Sequence, residues 1–319
     1  MKINNIRPNT PSGDQMRAYL RDVENYQAQK QDFTRRKCPA CNSDRGKYFS
    51  SHHEFNFEQC QACFTVFMNP GPTKLMVDEF YQNSSNYDYW AREIYPKSRD
   101  SRRLTLHTQR SNAIIEIVKE QLPGLKKLRV LEIGAGTGDT LSVLRELSDR
   151  PIDACAVEPN PSMKEALEKN GVEIYDLNAE DCERFDLVVA FEVLEHFLNP
   201  SEFMQMCLGL LKPNGIVILS TPNAHSIEVQ MLKSSSTTID VEHISLLTPA
   251  GMHSLSSRMG FNVLEIQTPG HFDMELIALE KPHLSIQIEE KKCDPDILQK
   301  FIVDLKLSSH MQVVLQKSL

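Results

Sequence analysis

The stretch VLEIGAGTGDT at residues 130–140 decides how this chain is read. Gly134, Gly136 and Gly138 stand directly after an apolar run, LRVLEI at 128–133, and directly before a helical pattern that starts after Thr140. Glycine turns the backbone tightly and lets a ligand approach the main chain, while the helix N-terminus that follows offers unpaired N–H donors. A glycine turn alone can be structural, and two acidic residues sharpen the reading. Glu158 closes the next apolar run, IDACAVE at 152–158, twenty residues beyond Gly138, where a carboxylate accepts both hydroxyls of a ribose. The spacing is GxGxG, not GxGxxG, and Glu132 stands two residues before the first glycine, so the ligand bears a nucleoside but is not a dinucleotide.

Outward from the loop, apolar runs alternate with amphipathic ones. A helix after Thr140 precedes IDACAVE, a helix at Ser162–Asn170 precedes FDLVVAF at 185–191, and a helix at Pro200–Leu211 precedes GIVILST at 215–221. That rhythm predicts a parallel, doubly wound α/β sheet. A further helix ends at Gly260, and Phe261–Gln267 and Met274–Glu280 read as two strands whose short link, with Pro269 and Gly270, implies an antiparallel closing pair. In the tail, Ile297, Phe301 and Leu305 share one face of a predicted helix. Ahead of the sheet, Ser12 and Gln15 have capping-box spacing, and Met16, Leu20 and Val23 follow at helical intervals, predicting a helix over 13–30. Residues from Thr73 to Lys119 are helical in pattern, interrupted by FYQNSSNYDYW at 80–90. The expected organisation is a helical extension at 1–37, a cysteine module at 38–72, a helical connector at 73–120, the ligand-binding domain at 121–281 and a helical tail at 282–319.

Cys38, Cys41, Cys60 and Cys63 form two CxxC knuckles eighteen residues apart, the spacing of a tetrahedral four-thiolate zinc site. Four protein ligands leave no position for substrate, so this zinc is expected to be structural. Cys155, Cys182, Cys207 and Cys293 are isolated in sequence and read as inert thiols.

Composition narrows the rest. The 319 residues are 40% hydrophobic and 24% charged, which excludes wholesale disorder. Acidic residues outnumber basic ones 43 to 35, a net charge of -8, which opposes attraction to a nucleic-acid backbone. The start is locally basic, with Arg7, Arg17, Arg21, Lys30, Arg35, Arg36 and Lys37, and reads as a solvated helix face more readily than as a seat for an anionic partner. No apolar run approaches the roughly 20 residues that span a bilayer, and MKINNIRPNT lacks a signal-peptide core, so a cytoplasmic protein without membrane attachment is expected.

The glycine loop, Glu158, FDLVVAFEVLEHFLNP at 185–200 and LLKPNGIVILSTPN at 210–223, in that order, resemble the class I S-adenosylmethionine-dependent methyltransferases over residues 128–280, about half of the chain. The resemblance implies a Rossmann-like seven-stranded methyltransferase sheet, with a small N-terminal four-cysteine zinc ribbon and helical extensions. It implies that Gly134, Ala135, Gly136 and Gly138 line the cofactor, that Glu132 faces its amino group and that Glu158 holds its ribose. Pro159, Asn160 and Met163 would lie near the adenine, with Asn178, Ala179, Phe191 and Glu192 completing the site. The CxxC module followed by NPGP at 69–72 and by several tyrosines is similar to bacterial zinc-ribbon methyltransferases of sugar and natural-product modification. This implies a small-molecule acceptor, a hydroxyl or carbon of a nucleotide-linked sugar or a related metabolite. FEVLEH stands where amino-group methylases carry Asn/Asp-Pro-Pro-Tyr, which favours oxygen or carbon.

A hydroxyl acceptor must lose its proton, and histidine is the side chain suited to neutral pH. His243 and His196 are the candidate bases, ahead of His225 and His271. Tyr81, Tyr87, Tyr89 and Trp90 form a candidate lid, and Arg99, Arg102, Arg103 and Arg110 a candidate diphosphate grip. Two other readings stand beside the metabolite enzyme. An RNA methyltransferase would need a basic ribbon, yet between the knuckles Arg45 and Lys47 face Asp44, Glu54 and Glu58. A non-catalytic scaffold would bind the cofactor without turnover.

Overall fold

The computed structural model describes residues 12–177, 184–272, 274–283 and 294–318. Arg7, Asn178, Ala179, Cys182 and Cys293 lie outside the described residues. In chain order the strands are β1 (Gly46–His52), β2 (Phe55–Cys60), β3 (Val66–Met68), β4 (Leu128–Ile133), β5 (Ile152–Val157), β6 (Glu173–Ile174), β7 (Phe185–Phe191), β8 (Leu211–Pro222), β9 (Ser245–Leu246), β10 (Phe261–Gln267) and β11 (His310–Lys317). Seven of them are hydrogen-bonded in the order β10-β11-β8-β7-β4-β5-β6, so the last strand in sequence is inserted between the fifth and sixth of the sheet. The others form a four-stranded sheet in the order β1-β2-β3-β9.

The chain divides into two compact units. The first comprises Met1–Gln31, Lys74–Ala190 and Leu210–Ile216. Within it β4 pairs in parallel with β5, from Leu128↔Ile152 to Ile133↔Val157, and with β7, from Val130↔Leu187 to Ile133↔Ala190. Both β4 and β7 are almost wholly buried, which is why they read as continuous apolar runs and not as alternating ones. The helix Asp139–Leu147 buries Leu141, Val143 and Leu144. Ser12 caps the first helix, Gly13–Ala28, by accepting the Gln15 N–H at 3.1 Å. That helix carries Asp22, whose buried carboxylate accepts from Ser84 Oγ and from the backbone N–H groups of Ser85 and Asn86, satisfying the first turn of Ser85–Tyr89.

The second unit comprises Asp32–Thr73, Phe191–Gly209 and Val217–Leu319. Here the sequence reading needs two corrections. Residues Met274–Glu280, expected as a strand, form a helix, because MELIALE is made of strong helix formers with no alternation. The helical tail expected over 282–319 is helical at Pro295–Asp304 but ends in β11, which pairs antiparallel with β10 from Phe261↔Lys317 to Gln267↔Gln312. The signal for β11 is VV at 313–314, both buried, within a run too short for periodicity to identify. Among the described residues, no helix is long and apolar enough to cross a membrane.

Candidate functional site

In the first unit the glycine loop leaves the carboxyl end of β4 with Gly134, Gly136 and Gly138 at φ of 72°, 53° and 74°. All three are left-handed, the region that only glycine enters without penalty. Their surroundings differ. A Cβ on Gly136 would meet nothing within 4 Å, whereas one on Gly138 would stand 2.8 Å from Leu167 Cδ2 and 3.2 Å from Val172 Cγ2. Gly138 is therefore required by packing, and Gly136 borders open space.

Glu158, just past β5, is fixed from two sides. Its Oε2 accepts the Gly136 N–H at 2.7 Å and its Oε1 the Asn160 N–H at 2.9 Å. Burial pushes the carboxyl above its ordinary range, and these two bonds act against that rise. Each oxygen keeps lone-pair capacity for a hydroxyl donor. Glu132, 3% exposed in β4, has an Oε2 without any hydrogen-bond partner. Burial raises its carboxyl to about 8, against the pull of Arg110 and a Thr140 hydrogen bond. A buried orphan acceptor beside a glycine cradle matches the ammonium group of an amino-acid moiety. Asn160 caps the turn Pro161–Met163 through Ser162 N–H, Pro159 is exposed and Met163 is buried. The loop, Glu132, Glu158 and this turn thus fit the methionyl and ribosyl parts of S-adenosylmethionine.

In the second unit, residues 191–196 continue the chain from the end of β7. Phe191 is half-buried, and Glu192 has φ 59°, a conformation costing a side-chain-bearing residue on the order of 1 kcal/mol. It is held there by its N–H to Ser220 O at 2.9 Å, by Ser220 Oγ donating to its Oε1 at 2.6 Å, and by His310 Nε2 at 3.1 Å from its Oε2. Glu195 is fully buried and its Oε2 accepts from Thr221 Oγ1 at 2.9 Å. His196 and His243, distant in sequence, have ring centroids 5.0 Å apart. Burial, reinforced by His243, pulls His196 down to about 3.

The four cysteines converge as their spacing predicts. Their sulfurs lie within 4.8 Å of one another, with Cys38–Cys63 and Cys41–Cys60 each at 3.5 Å, and all four are free thiols. A tetrahedral zinc with Zn–S bonds of about 2.3 Å needs sulfurs about 3.8 Å apart, so the set fits that ion. Cys38, Cys41, Cys60 and Cys63 would hold it, and it would supply cross-linking of the two knuckles.

The ribbon also grips the segments that carry both histidines. Through β9 its sheet takes in Ser245–Leu246, with Phe67↔Ser245 and Val66↔Leu246 paired. The Arg36 guanidinium donates to the carbonyls of Met68, Leu198 and Ile244. Thr248 Oγ1 donates to Cys63 O, and Arg258 donates to Ala40 O at 2.9 Å. Leu198 is two residues from His196, and Ile244 adjoins His243.

The other sequence candidates have partners of their own within the protein. Arg99 and Arg103 pair with Asp139 at 3.0 and 3.5 Å. Burial pushes Asp139 up, but bonds from Arg99 and Thr137 outweigh it and hold the carboxyl below its ordinary value. Arg102 lies over the Tyr95 ring at 4.9 Å. Of the aromatic segment, Tyr81 packs on Tyr87, Trp90 on Tyr95, and Tyr89 hydrogen-bonds Ser12 at 2.8 Å. His225 stacks on Phe64, and His271 is exposed. Arg36, Glu195, Ser220, Thr221 and His310 were missed from sequence. Only the LEH segment, where Glu195 adjoins the candidate base His196, offered a local signal for one of them.

Comparison with known proteins now bears on this geometry. A family model described as a methyltransferase domain matches residues 106–266, just over half of the chain. The ubiquinone biosynthesis O-methyltransferase of Roseobacter denitrificans is 32% identical over 138 residues, covering 41% of this chain and 54% of that protein. The mitochondrial ubiquinone biosynthesis O-methyltransferase of Homo sapiens is 26% identical over 177 residues, covering 49% and 47%. The chain thus spans about half the length of these curated relatives. Among solved structures, magnesium protoporphyrin IX methyltransferase from Synechocystis PCC 6803 aligns at 16% identity and a TM-score of 0.48, over 77% of this chain and all of that one. The glycine cradle and its flanking acids fall inside the matched segment, and the chain belongs to the class I S-adenosylmethionine-dependent methyltransferase family.

Proposed function

We propose that the protein transfers the methyl group of S-adenosylmethionine to a hydroxyl oxygen of a small molecule. The observation that carries this is Glu158, a half-buried carboxylate pinned by the Gly136 and Asn160 N–H groups beside an open glycine cradle. The carboxylate takes the ribose hydroxyls, Glu132 meets the methionyl ammonium, and Met163 and Asn160 border the adenine. The sulfonium is already a good leaving group, so the protein's work is to align the acceptor with the methyl and keep water out. FEVLEH favours oxygen or carbon over nitrogen, and the similarity to O-methyltransferases favours oxygen. A nucleotide-linked sugar, the acceptor implied by the zinc-ribbon resemblance, and the ring hydroxyl of a quinone precursor, suggested by those relatives, both carry such an oxygen.

The two glycines separate binding from folding. Gly138→Ala is expected to destabilise the fold by about 1–3 kcal/mol, through overpacking on Leu167 and a left-handed backbone. Gly136→Ala meets no protein atom and is expected to cost about 1 kcal/mol of stability, yet to weaken S-adenosylmethionine at least tenfold by filling the cradle. Thermal melts and cofactor titrations read the two effects. Equal melts and equal affinities for both variants would remove the cradle from the argument.

The function itself is tested with methyl-labelled S-adenosylmethionine and a cell extract split by ultrafiltration into metabolites and macromolecules. Label in the small fraction supports the proposal and yields a product whose methylated atom can be identified. Label in RNA or protein overturns it. Cofactor binding with no label in either fraction points to a scaffold.

A further inference from the structure

We infer that Arg99 is a positioning residue for S-adenosylmethionine, tying the glycine loop to the helix that follows β5 so that the cradle is shaped before the methionyl group arrives. The inference rests on the reading that this loop receives the methionyl part of the cofactor. Every residue it uses belongs to the first unit.

Four residues close a ring of hydrogen bonds on the loop. Arg99, in the helix Tyr95–Arg102, donates from Nη2 and Nε to Asp139 Oδ1 at 3.0 and 3.2 Å, and from Nη2 to Asn170 Oδ1 at 2.8 Å. Asn170 ends the helix Lys164–Lys169 as its C-cap, and its Nδ2 donates to Thr137 O at 2.7 Å. Thr137 Oγ1 closes the ring by donating to Asp139 Oδ2 at 2.7 Å. A guanidinium only donates and a carbonyl only accepts, so one orientation of the Asn170 amide serves both. The peptide between Thr137 and Gly138 is thereby held at both ends, since the Gly138 N–H donates to Ala135 O at 2.9 Å. The same helix lies against Gly138 through Leu167 and follows directly on Met163, so one guanidinium joins the segments assigned to the methionyl and adenine ends of the cofactor.

The loop needs such a tie. Three glycines without a Cβ to confine them give it the largest conformational freedom to lose on ordering. Freedom removed by the protein's own contacts no longer opposes cofactor binding. Arginine suits the task, because its planar fork reaches acceptors on two segments at once where a lysine serves one. The Arg99 side chain is 50% exposed, so its ion pair with Asp139 adds little to stability. Arg103, 3.5 Å from Asp139 Oδ1, keeps that buried carboxylate paired when Arg99 is removed. The ring therefore acts on the shape of the loop more than on the stability of the fold.

Calorimetric titration of the full chain with S-adenosylhomocysteine, and with methylthioadenosine, which lacks the amino-acid moiety, tests the inference. Arg99→Ala and Asn170→Ala are each expected to weaken S-adenosylhomocysteine about tenfold and methylthioadenosine less than about threefold, because the ring fixes the methionyl end of the site. The double variant should bind S-adenosylhomocysteine no more than about twofold more weakly than either single one, since members of one network do not act additively. Arg99→Lys should fall between wild type and alanine. Arg103→Ala takes a guanidinium from the same carboxylate but leaves the Asn170 bonds, and should weaken binding less than about threefold. Thermal melts of the same samples should agree within a few degrees, and if Arg99→Ala fails to fold, Arg99→Lys and Asn170→Ala carry the comparison. Unchanged S-adenosylhomocysteine affinity in Arg99→Ala, equal losses for the two ligands, or losses that multiply in the double variant would overturn the positioning role. Glu158→Ala keeps the two claims apart. If it weakens both ligands while Arg99→Ala weakens neither, only Arg99 loses its role. If Glu158→Ala binds both as wild type does, the cradle reading falls and the inference falls with it.

Discussion

Glu158→Ala is expected to weaken S-adenosylmethionine binding by a factor of 100 or more, the largest effect of any single substitution in the first unit that leaves the fold standing. Two ribose hydroxyls lose a charged acceptor, and hydrogen bonds to charged groups contribute about 1.5–3 kcal/mol each. The cost continues in the protein. The Gly136 and Asn160 N–H groups both point at this carboxylate and would lose their acceptor, releasing the loop from the geometry that shapes the cradle. Both residues are half-buried, so water can reach the abandoned donors and the melting temperature should fall by only a few degrees. Glu158→Gln refines the expectation. Its amide keeps one acceptor oxygen but opposes an NH2 to one of the two backbone donors, so a loss of roughly tenfold is expected, between wild type and alanine. Calorimetric titration of the three proteins decides it. An unchanged Kd in Glu158→Ala would mean that the ligand is not a ribonucleoside held at β5, and the functional proposal would fall with it.

What the sequence made legible follows the range of the interactions concerned. The parallel strands were readable because burial on both faces demands unbroken apolar runs, as in FDLVVAF, and the glycine loop because left-handed φ at three positions leaves few residue choices. The cysteine knuckles were readable because each CxxC pair is local, and only the pairing of the two knuckles is long-range. Where partners are far apart in sequence, the reading ran short. β11 is recognised as a strand only by its neighbours β10 and β8, and MELIALE, with apolar residues in plenty, reads as strand or helix until its neighbours are known. His196 and His243 were singled out individually as bases. Their adjacency, and the Glu242 and Thr238 carbonyls that set their tautomers, exist only in three dimensions. Arg36 looked like one more charge in a basic stretch, yet it donates to three carbonyls from three separate segments.

That role of Arg36 leads to the second large effect, expected when zinc is removed. Chelation, or Cys60→Ser with Cys63→Ser, is expected to reduce methyl transfer more than 100-fold while changing the S-adenosylmethionine Kd less than threefold. Structural zinc contributes about 10–16 kcal/mol in isolated finger peptides, as much as the whole stability of a typical domain, so the knuckles cannot persist without it. With the knuckles go the β3–β9 pairing, the Thr248 bond to Cys63 O and the Arg36 bonds to Leu198 and Ile244. Those are the contacts that hold the chain beside His196 and His243, so the two candidate bases should lose their fixed placement. The cofactor cradle is held differently, by the bonds from Gly136 and Asn160 to Glu158 within the first unit. Arg36→Ala on the zinc-loaded protein isolates the mechanical link. It keeps the ion, removes three carbonyl bonds and should lower turnover at least tenfold, with zinc stoichiometry unchanged. Zinc analysis, cofactor titration and transfer rates on the same preparations give the answer. If transfer survives in the zinc-free protein, the ribbon is not a buttress for the acceptor side. If cofactor affinity collapses together with transfer, the zinc supports the whole fold and the selective role assigned to the ribbon is wrong.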